Sequence, residues 1–218
     1  MEITDGHLVF QVERAIGQLP GVNLNDLRVT ADKGVVTIRG AVRTLADKMA
    51  ALEAASQIPG VRSVIEAVAV EIPHQVPDQQ LSQDLDEEIA EAEIDPRRLG
   101  ADAIRGQAVL TGSARSLGEL SRAEVAAEGV TGISNSYDTT RIENPYGPDQ
   151  ADLANAVADA LRRHPDLKHR QIRPLVEETG HVVLVGQVHS EEERLLALQV
   201  TTTVAGVHSA REELAVVP

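Results

Sequence analysis

Three carboxylates recur in one register of this 218-residue chain: Glu66, Asp138 and Glu212. Their neighbours at two-residue spacing are Val64, Val68 and Val70; Ser136, Thr140 and Ile142; Ala210, Leu214 and Val216. An acid on such a strand face could coordinate a cation or pair with a basic side chain across a sheet. An edge position or bulge facing water explains it without chemistry and is the reading favoured, which leaves the three as weak metal candidates. A second acidic stretch, Asp84 to Glu93 (DLDEEIAEAE), lacks the glycine and the oxygen-ligand spacing of a calcium loop. Its Leu85, Ile89 and Ala92 fit the buried side of a helix, so the acids read as a solvated helix face. His164 and His169 lie in HPDLKH, and His181 and His189 flank a glycine turn. None has zinc-site spacing, and all four read as exposed loop histidines. Arg97-Arg98 and Arg162-Arg163 follow helical stripes and read as cations that end a helix, with phosphate contact as the alternative. Serine, histidine and aspartate form no nucleophile elbow, and cysteine is absent. No catalytic residue, cofactor site or enzymatic activity is expected.

The elements that would position these groups occur three times. A strand-like run bounded by two glycines appears as Gly34 to Gly40, Gly106 to Gly112 and Gly180 to Gly186. A Gly-Val or Gly-Ile pair follows 20 positions after the second glycine, at Gly60, Gly132 and Gly206. These nine glycines read as structural. Ahead of each run lies an amphipathic helix with a stripe at i, i+4, i+8: Leu8, Val12, Ile16; Leu81, Leu85, Ile89; Leu153, Val157, Leu161. Asp5, Asp78 and Asp149 stand just upstream as candidate N-caps. A hairpin follows, turning at Asp32-Lys33-Gly34 in the first copy and within Glu177 to Gly180 in the third. Pro174 marks its strand as an edge. The second copy offers only Ala101 to Ile104 ahead of its turn.

A second helix opens with an S/T-x-x-D/E box in each copy: Thr44 with Asp47, Ser116 with Glu119, Ser190 with Glu193. Its inner face is small, with Ala51 and Ala55, Ala123 and Ala127, Ala197 and Thr201. Gly118 and Gly129 would weaken the second copy's helix by about 1 kcal/mol each if interior. A closing strand completes α-β-β-α-β, and its crossover favours a parallel partner. The predicted fold is α+β: three small domains, each a three-stranded mixed sheet with two helices on one face. Their expected bounds are 1–73, 74–145 and 146–218, joined by short proline linkers from Pro73 to Pro77 and from Pro145 to Pro148.

Composition narrows the partners. The net charge is −14, and residues 74–148 alone carry 6 basic and 14 acidic residues. Such a chain is repelled by nucleic acid and by anionic lipid at long range. Aromatic residues number three, Phe10, Tyr137 and Tyr146, so stacking platforms for single strands are lacking and the core must be aliphatic. The first residues have no signal-peptide pattern, so a cytoplasmic chain is expected as written, or a periplasmic one if a leader has been removed.

The glycine-closed strands VVTIRGAV, AVLTGSA and VVLVGQV, the capped alanine-rich helix, and the run from Gly60 to Val70 together resemble the BON domain (bacterial OsmY and nodulation). Copies one and three match well, and the second, with GISNSYDTTRI, is degenerate. The resemblance implies a non-catalytic binding or scaffold role in envelope or osmotic stress, with phospholipid surfaces or envelope proteins as partners. It also implies a second possibility, a potassium- or calcium-binding sensor that uses carbonyls and acids at domain junctions.

Overall fold

The computed structural model describes residues 4–71, 76–147, 150–178 and 180–217. The chain divides into two compact units. One comprises Met1–Pro96, Gly100–Leu110 and Glu124–Asp138; the other comprises Arg97–Leu99, Thr111–Ala123 and Thr139–Pro218. The division runs through the second repeat, so the first repeat belongs to one unit and the third to the other.

The first repeat runs α1 (Asp5–Ile16), β1 (Leu27–Asp32), β2 (Val35–Val42), α2 (Leu45–Ser56) and β3 (Ser63–Val70). The second runs α3 (Asp78–Glu91), β4 (Leu99–Ile104), β5 (Gln107–Ala114), α4 (Leu117–Gly129), β6 (Asn135–Asp138) and β7 (Arg141–Ile142). The third runs α5 (Gln150–Arg163), β8 (Gln171–Glu178), β9 (His181–Val188), α6 (Glu191–Thr202) and β10 (Ser209–Val216). In every sheet the second strand is central. It pairs antiparallel with β1 or β8 on one side and parallel with β3, β6 and β7, or β10 on the other. The fold is therefore the predicted α+β unit three times over, and the parallel pairing is what a strand-helix-strand crossover produces. Pro174 lies on an edge strand, opposite Leu184, where a missing N–H costs no inner ladder bond.

The helical stripes are the cores. Leu8, Val12 and Ile16, Leu81, Leu85 and Ile89, and Leu153, Val157 and Leu161 are all buried. In the first repeat Val12 and Ile16 meet Val36, Ile38, Val42, Val68, Ala51 and Ala55; in the third the whole stripe meets Val182, Leu184, Val188, Leu214 and Ala197. Fully buried Thr201 satisfies its hydroxyl by donating to the Ala197 carbonyl at 2.8 Å.

Several expectations change. Asp5 and Asp78 are not N-caps: each is the first helical residue, and its carboxylate reaches the hairpin turn some 28 residues away. Asp5 accepts from Lys33 N–H at 2.8 Å and Gly34 N–H at 3.0 Å, and Asp78 accepts from Arg105 N–H at 2.7 Å and Gly106 N–H at 3.0 Å. The two turn residues have positive φ (49° and 81°; 55° and 70°), a two-residue primed turn whose adjacent N–H groups both point at the carboxylate. Asp149 lies outside the described residues, as does part of each proline linker. Gly118 and Gly129 sit in the first turn and at the last position of α4, so no interior penalty applies. A Cβ on Gly118 would meet the Thr202 carbonyl at 3.2 Å. The β4 strand is longer than expected because Leu99 and Gly100 extend it. The closing strand of the second repeat breaks between β6 and β7, where polar residues stand in a run that is apolar in the first copy.

Inside the second unit, residues of the second and third repeats share hydrogen bonds. Gly206 N–H donates to the Arg115 carbonyl at 2.9 Å, Leu117 N–H to Val207 at 3.3 Å, and His208 Nε2 to Ile142 at 2.9 Å.

A Cβ built on Gly40, Gly112 or Gly186 would fall 2.0, 2.0 or 1.9 Å from the carbonyl oxygen of Asp26, Arg98 or Gln171. Backbone must move to admit it, and φ lies between +105° and +138° at all three. Gly40→Ala and Gly186→Ala are each expected to lower stability by about 2 kcal/mol or more in urea unfolding, whereas Gly6→Ala, with open space around it, is neutral or stabilising. Equal midpoints for Gly40→Ala and Gly6→Ala would show that the strand tolerates the side chain.

Candidate functional site

The three registered acids are not brought together. They stand on three separate sheets, and among the described residues no cluster of three His, Cys, Asp or Glu side chains could hold a metal. Glu66 forms an ion pair with Lys48 of α2, and Glu212 approaches Arg194 of α6 at 3.4 Å. Lys48 and Arg194 occupy the same place, four residues after the cap Thr44 or Ser190. The second repeat has Leu120 there, and the charge of Asp138 acts on Glu124. Burial, with help from Asp138 and Glu128, raises the Glu124 carboxyl, and burial raises that of Glu128. Glu124 takes the position held by Leu52 and Leu198 in the sibling helices.

The polar chemistry concentrates instead at the start of the second helix of each repeat. Thr44, Ser116 and Ser190 accept the N3 amide of Asp47, Glu119 and Glu193 at 3.1 to 3.2 Å, as the boxes predict. The acids do not return to the cap's own N–H. Glu119 and Glu193 accept from the residue before the cap, Arg115 N–H and His189 N–H. Each also has an arginine guanidinium beside it, hydrogen-bonded in one case and at ion-pair distance in the other. Arg170 binds Glu193 through two bonds, Nε at 2.7 Å and Nη2 at 2.5 Å. Arg98 lies 3.9 Å from Glu119 and 3.2 Å from Glu143, whose other oxygen accepts from the Ser113 hydroxyl at 2.6 Å. The Arg170 guanidinium and then the His189 N–H lower Glu193 from its ordinary 4.5 to about 2.

Arg98 therefore does not end a helix: it stands one residue before β4 and holds two acids. Arg162 does lie in the last turn of α5, paired with Asp159. His169 and His189 are exposed; His164 is half-buried near Asp166, and His181 Nδ1 contacts Ser209 Oγ at 2.7 Å. His208, which no sequence motif singled out, fills the space above Gly180, where a Cβ would meet its Nδ1 at 2.0 Å. Its position one residue after the Gly206-Val207 pair was the available signal.

Outside the helix-covered cores, each sheet has an opposite face. It exposes Ile65 in the first repeat, Ile104 and Tyr137 in the second, and Leu175 in the third. Among the described residues, no helix is long and apolar enough to cross a membrane.

Fold and site together define a class: a small α-β-β-α-β module, repeated, whose polar side chains lock its own backbone. The BON domain family model matches residues 4–71, 77–141 and 149–218, and the chain belongs to this family. No curated protein sequence matches it. Among solved structures it is similar to CdsD, a structural protein of the type III secretion system of Chlamydia trachomatis, with 18% identity over 97% of this chain and 92% of that one and a TM-score of 0.27. The CdsD C-terminal domain gives 16% identity over 99% and 100%, also with a TM-score of 0.27. Likeness at that level carries no inference about role.

The acids set opposing pH dependences. Glu193 has a lower pKa folded than unfolded, so its contribution is present above about pH 4.5 and is lost as pH falls through about 2. Glu193→Gln is expected to flatten the loss of stability between those values in urea titrations, and an unchanged acid limb would refute this. Glu124 has the opposite sign, since its raised pKa means that stability falls as pH rises through the folded value. Glu124→Leu, which restores the residue type of the sibling repeats, is expected to stabilise at neutral pH by on the order of 1 kcal/mol through added apolar burial, read as a higher melting temperature.

Proposed function

We propose that the chain is a non-catalytic binding or scaffold protein that presents three BON modules, bounded at 1–73, 74–145 and 146–218, to a phospholipid surface or an envelope protein, in an osmotic or general stress setting. The observation that carries this reading is the one-sided covering of the sheets. Helices bury one face, and the other exposes Ile65, Ile104, Tyr137 and Leu175. Exposed apolar side chains on a repeated module suit association better than turnover. Asp5, Asp78, Glu119 and Glu193 are engaged in caps and turns, Glu66 and Glu212 in ion pairs, and the nine repeated glycines serve the framework. Whether the compartment is cytoplasmic or periplasmic follows the partner. Nucleic acid is disfavoured by the charge of −14.

The acidity also shapes the expected membrane behaviour. Contact would be apolar and not driven by charge, so flotation with zwitterionic vesicles should equal or exceed flotation with anionic ones, and divalent cations should raise the anionic value. Ile65→Asp combined with Tyr137→Asp should abolish flotation without lowering the melting temperature by more than a few degrees. No flotation under any of these conditions would remove the lipid surface and leave the protein partner. A cation sensor built on Glu66, Asp138 and Glu212 would have to displace Lys48 and Arg194 from two of the three acids. Melting shifts with potassium, sodium and calcium at millimolar concentration test it, and a flat response would exclude it.

A further inference from the structure

The three repeats treat one location differently. The second repeat follows the first at a constant offset of 72, which equates Asp26 with Arg98, Ala41 with Ser113, Arg43 with Arg115, Asp47 with Glu119 and Glu71 with Glu143. In the second repeat these positions form a closed network around the Arg98 guanidinium, held by Glu143 at 3.2 Å and Glu119 at 3.9 Å, with Ser113 donating to Glu143. In the third, Arg170 supplies a guanidinium to Glu193, the equivalent of Asp47. In both cases the arginine is about three-quarters covered, at 24% and 26% exposure.

The first repeat keeps the acids and lacks the arginine. Asp26 replaces it and accepts a hydrogen bond from Asn23 Nδ2 at 2.8 Å. A cleft of about 340 Å³ opens at the same place, lined by Gly21, Asn23, Asp26, Ala41, Arg43 and Glu71 among others. Asp47 Oδ1 lies only 2.6 Å from where a Cβ on Gly21 would sit, so its carboxylate stands against the Gly21 wall. Arg43, which also lines the cleft, does not bar a second cation, because its equivalent Arg115 acts on Glu143 together with Arg98.

We propose that this cleft receives an arginine side chain from a partner protein, whose guanidinium takes the place that Arg98 fills from within the chain. The proposal rests on the reading of the chain as a binding module. Asp26 and Glu71 both line the cleft, and a planar fork can donate to two carboxylate partners at once where an ammonium is a point charge, so arginine is favoured over lysine. An isolated side chain supplies few contacts, so millimolar affinity is expected for it alone.

The test uses the full chain, 15N-labelled, titrated with N-acetyl-arginine amide and with N-acetyl-lysine amide. Saturable shifts of the Gly21, Asn23, Arg43 and Glu71 amides are expected with the arginine probe, with lysine weaker by about fivefold. Glu71→Gln should weaken the arginine probe by about fivefold at an unchanged melting temperature. Asp26→Arg should raise the melting temperature and abolish probe binding, because the chain would then fill its own cleft. No saturable shift up to about 50 mM, equal response to both probes, or undiminished binding by Asp26→Arg would overturn the proposal. Vesicle flotation of Asp26→Arg separates the two readings. Retained flotation with lost probe binding supports an arginine-specific cleft, whereas failed flotation of wild type with intact probe binding counts only against the lipid surface.

Discussion

A module of about 70 residues with almost no aromatic side chains must close its core by bringing backbones together. The cores of the first and third repeats are built from Val, Leu, Ile and Ala, with Tyr146 as a half-buried exception at the margin of the third. Phe10 and Tyr137 are exposed. Short side chains fill little space, so the second helix lies close to its sheet through Ala51 and Ala55 or Ala197 and Thr201. For the same reason the central strand passes a carbonyl just ahead of the first strand, or at its first residue in the third repeat, with no room for a Cβ at Gly40, Gly112 and Gly186. Close approach leaves polar backbone groups needing partners, and the short polar side chains of each repeat meet that need.

This explains where the chemistry-bearing residues went. Asp5 and Asp78 tie the first helix to the hairpin turn, and both carboxyls are lowered chiefly by those backbone amides. The cap acids Glu119 and Glu193 tie the second helix to the strand before it. Glu66 and Glu212 tie the closing strand to the second helix. Each is a local lock on a crossover that the apolar core alone would specify loosely. Variation enters where a lock is exchanged, as at Asp26 against Arg98 and Leu120 against Lys48 and Arg194.

Much of this was legible because it follows local periodicity. The i, i+4, i+8 stripes named the buried residues of three helices, since burial on a helix repeats every 3.6 residues. The S/T-x-x-D/E boxes named three caps, since cap and N3 amide lie within one turn. The constant glycine spacing announced three copies, and Pro174 announced an edge. The partners of Asp5 and Asp78 were not legible, because the turn they bind is some 28 residues distant and a carboxylate beside a helix start has a nearer candidate in the N-cap. Arg98 was misread for the same reason: the adjacent helix offered a local account, and Glu143 is 45 residues away.

The sequence by itself determined the unit, its order of elements, its buried stripes and its threefold repetition. These depend on interactions within a few residues or on spacing that can be read directly. Tertiary structure alone decided which side chain meets which acid, that the second and third repeats share hydrogen bonds at Gly206, Val207 and His208, and that the first repeat has an open cleft where its sibling holds an arginine. Those outcomes depend on contacts between segments brought together by the crossover, and a charged side chain's partner is fixed by distance in space, for which position along the chain is no guide.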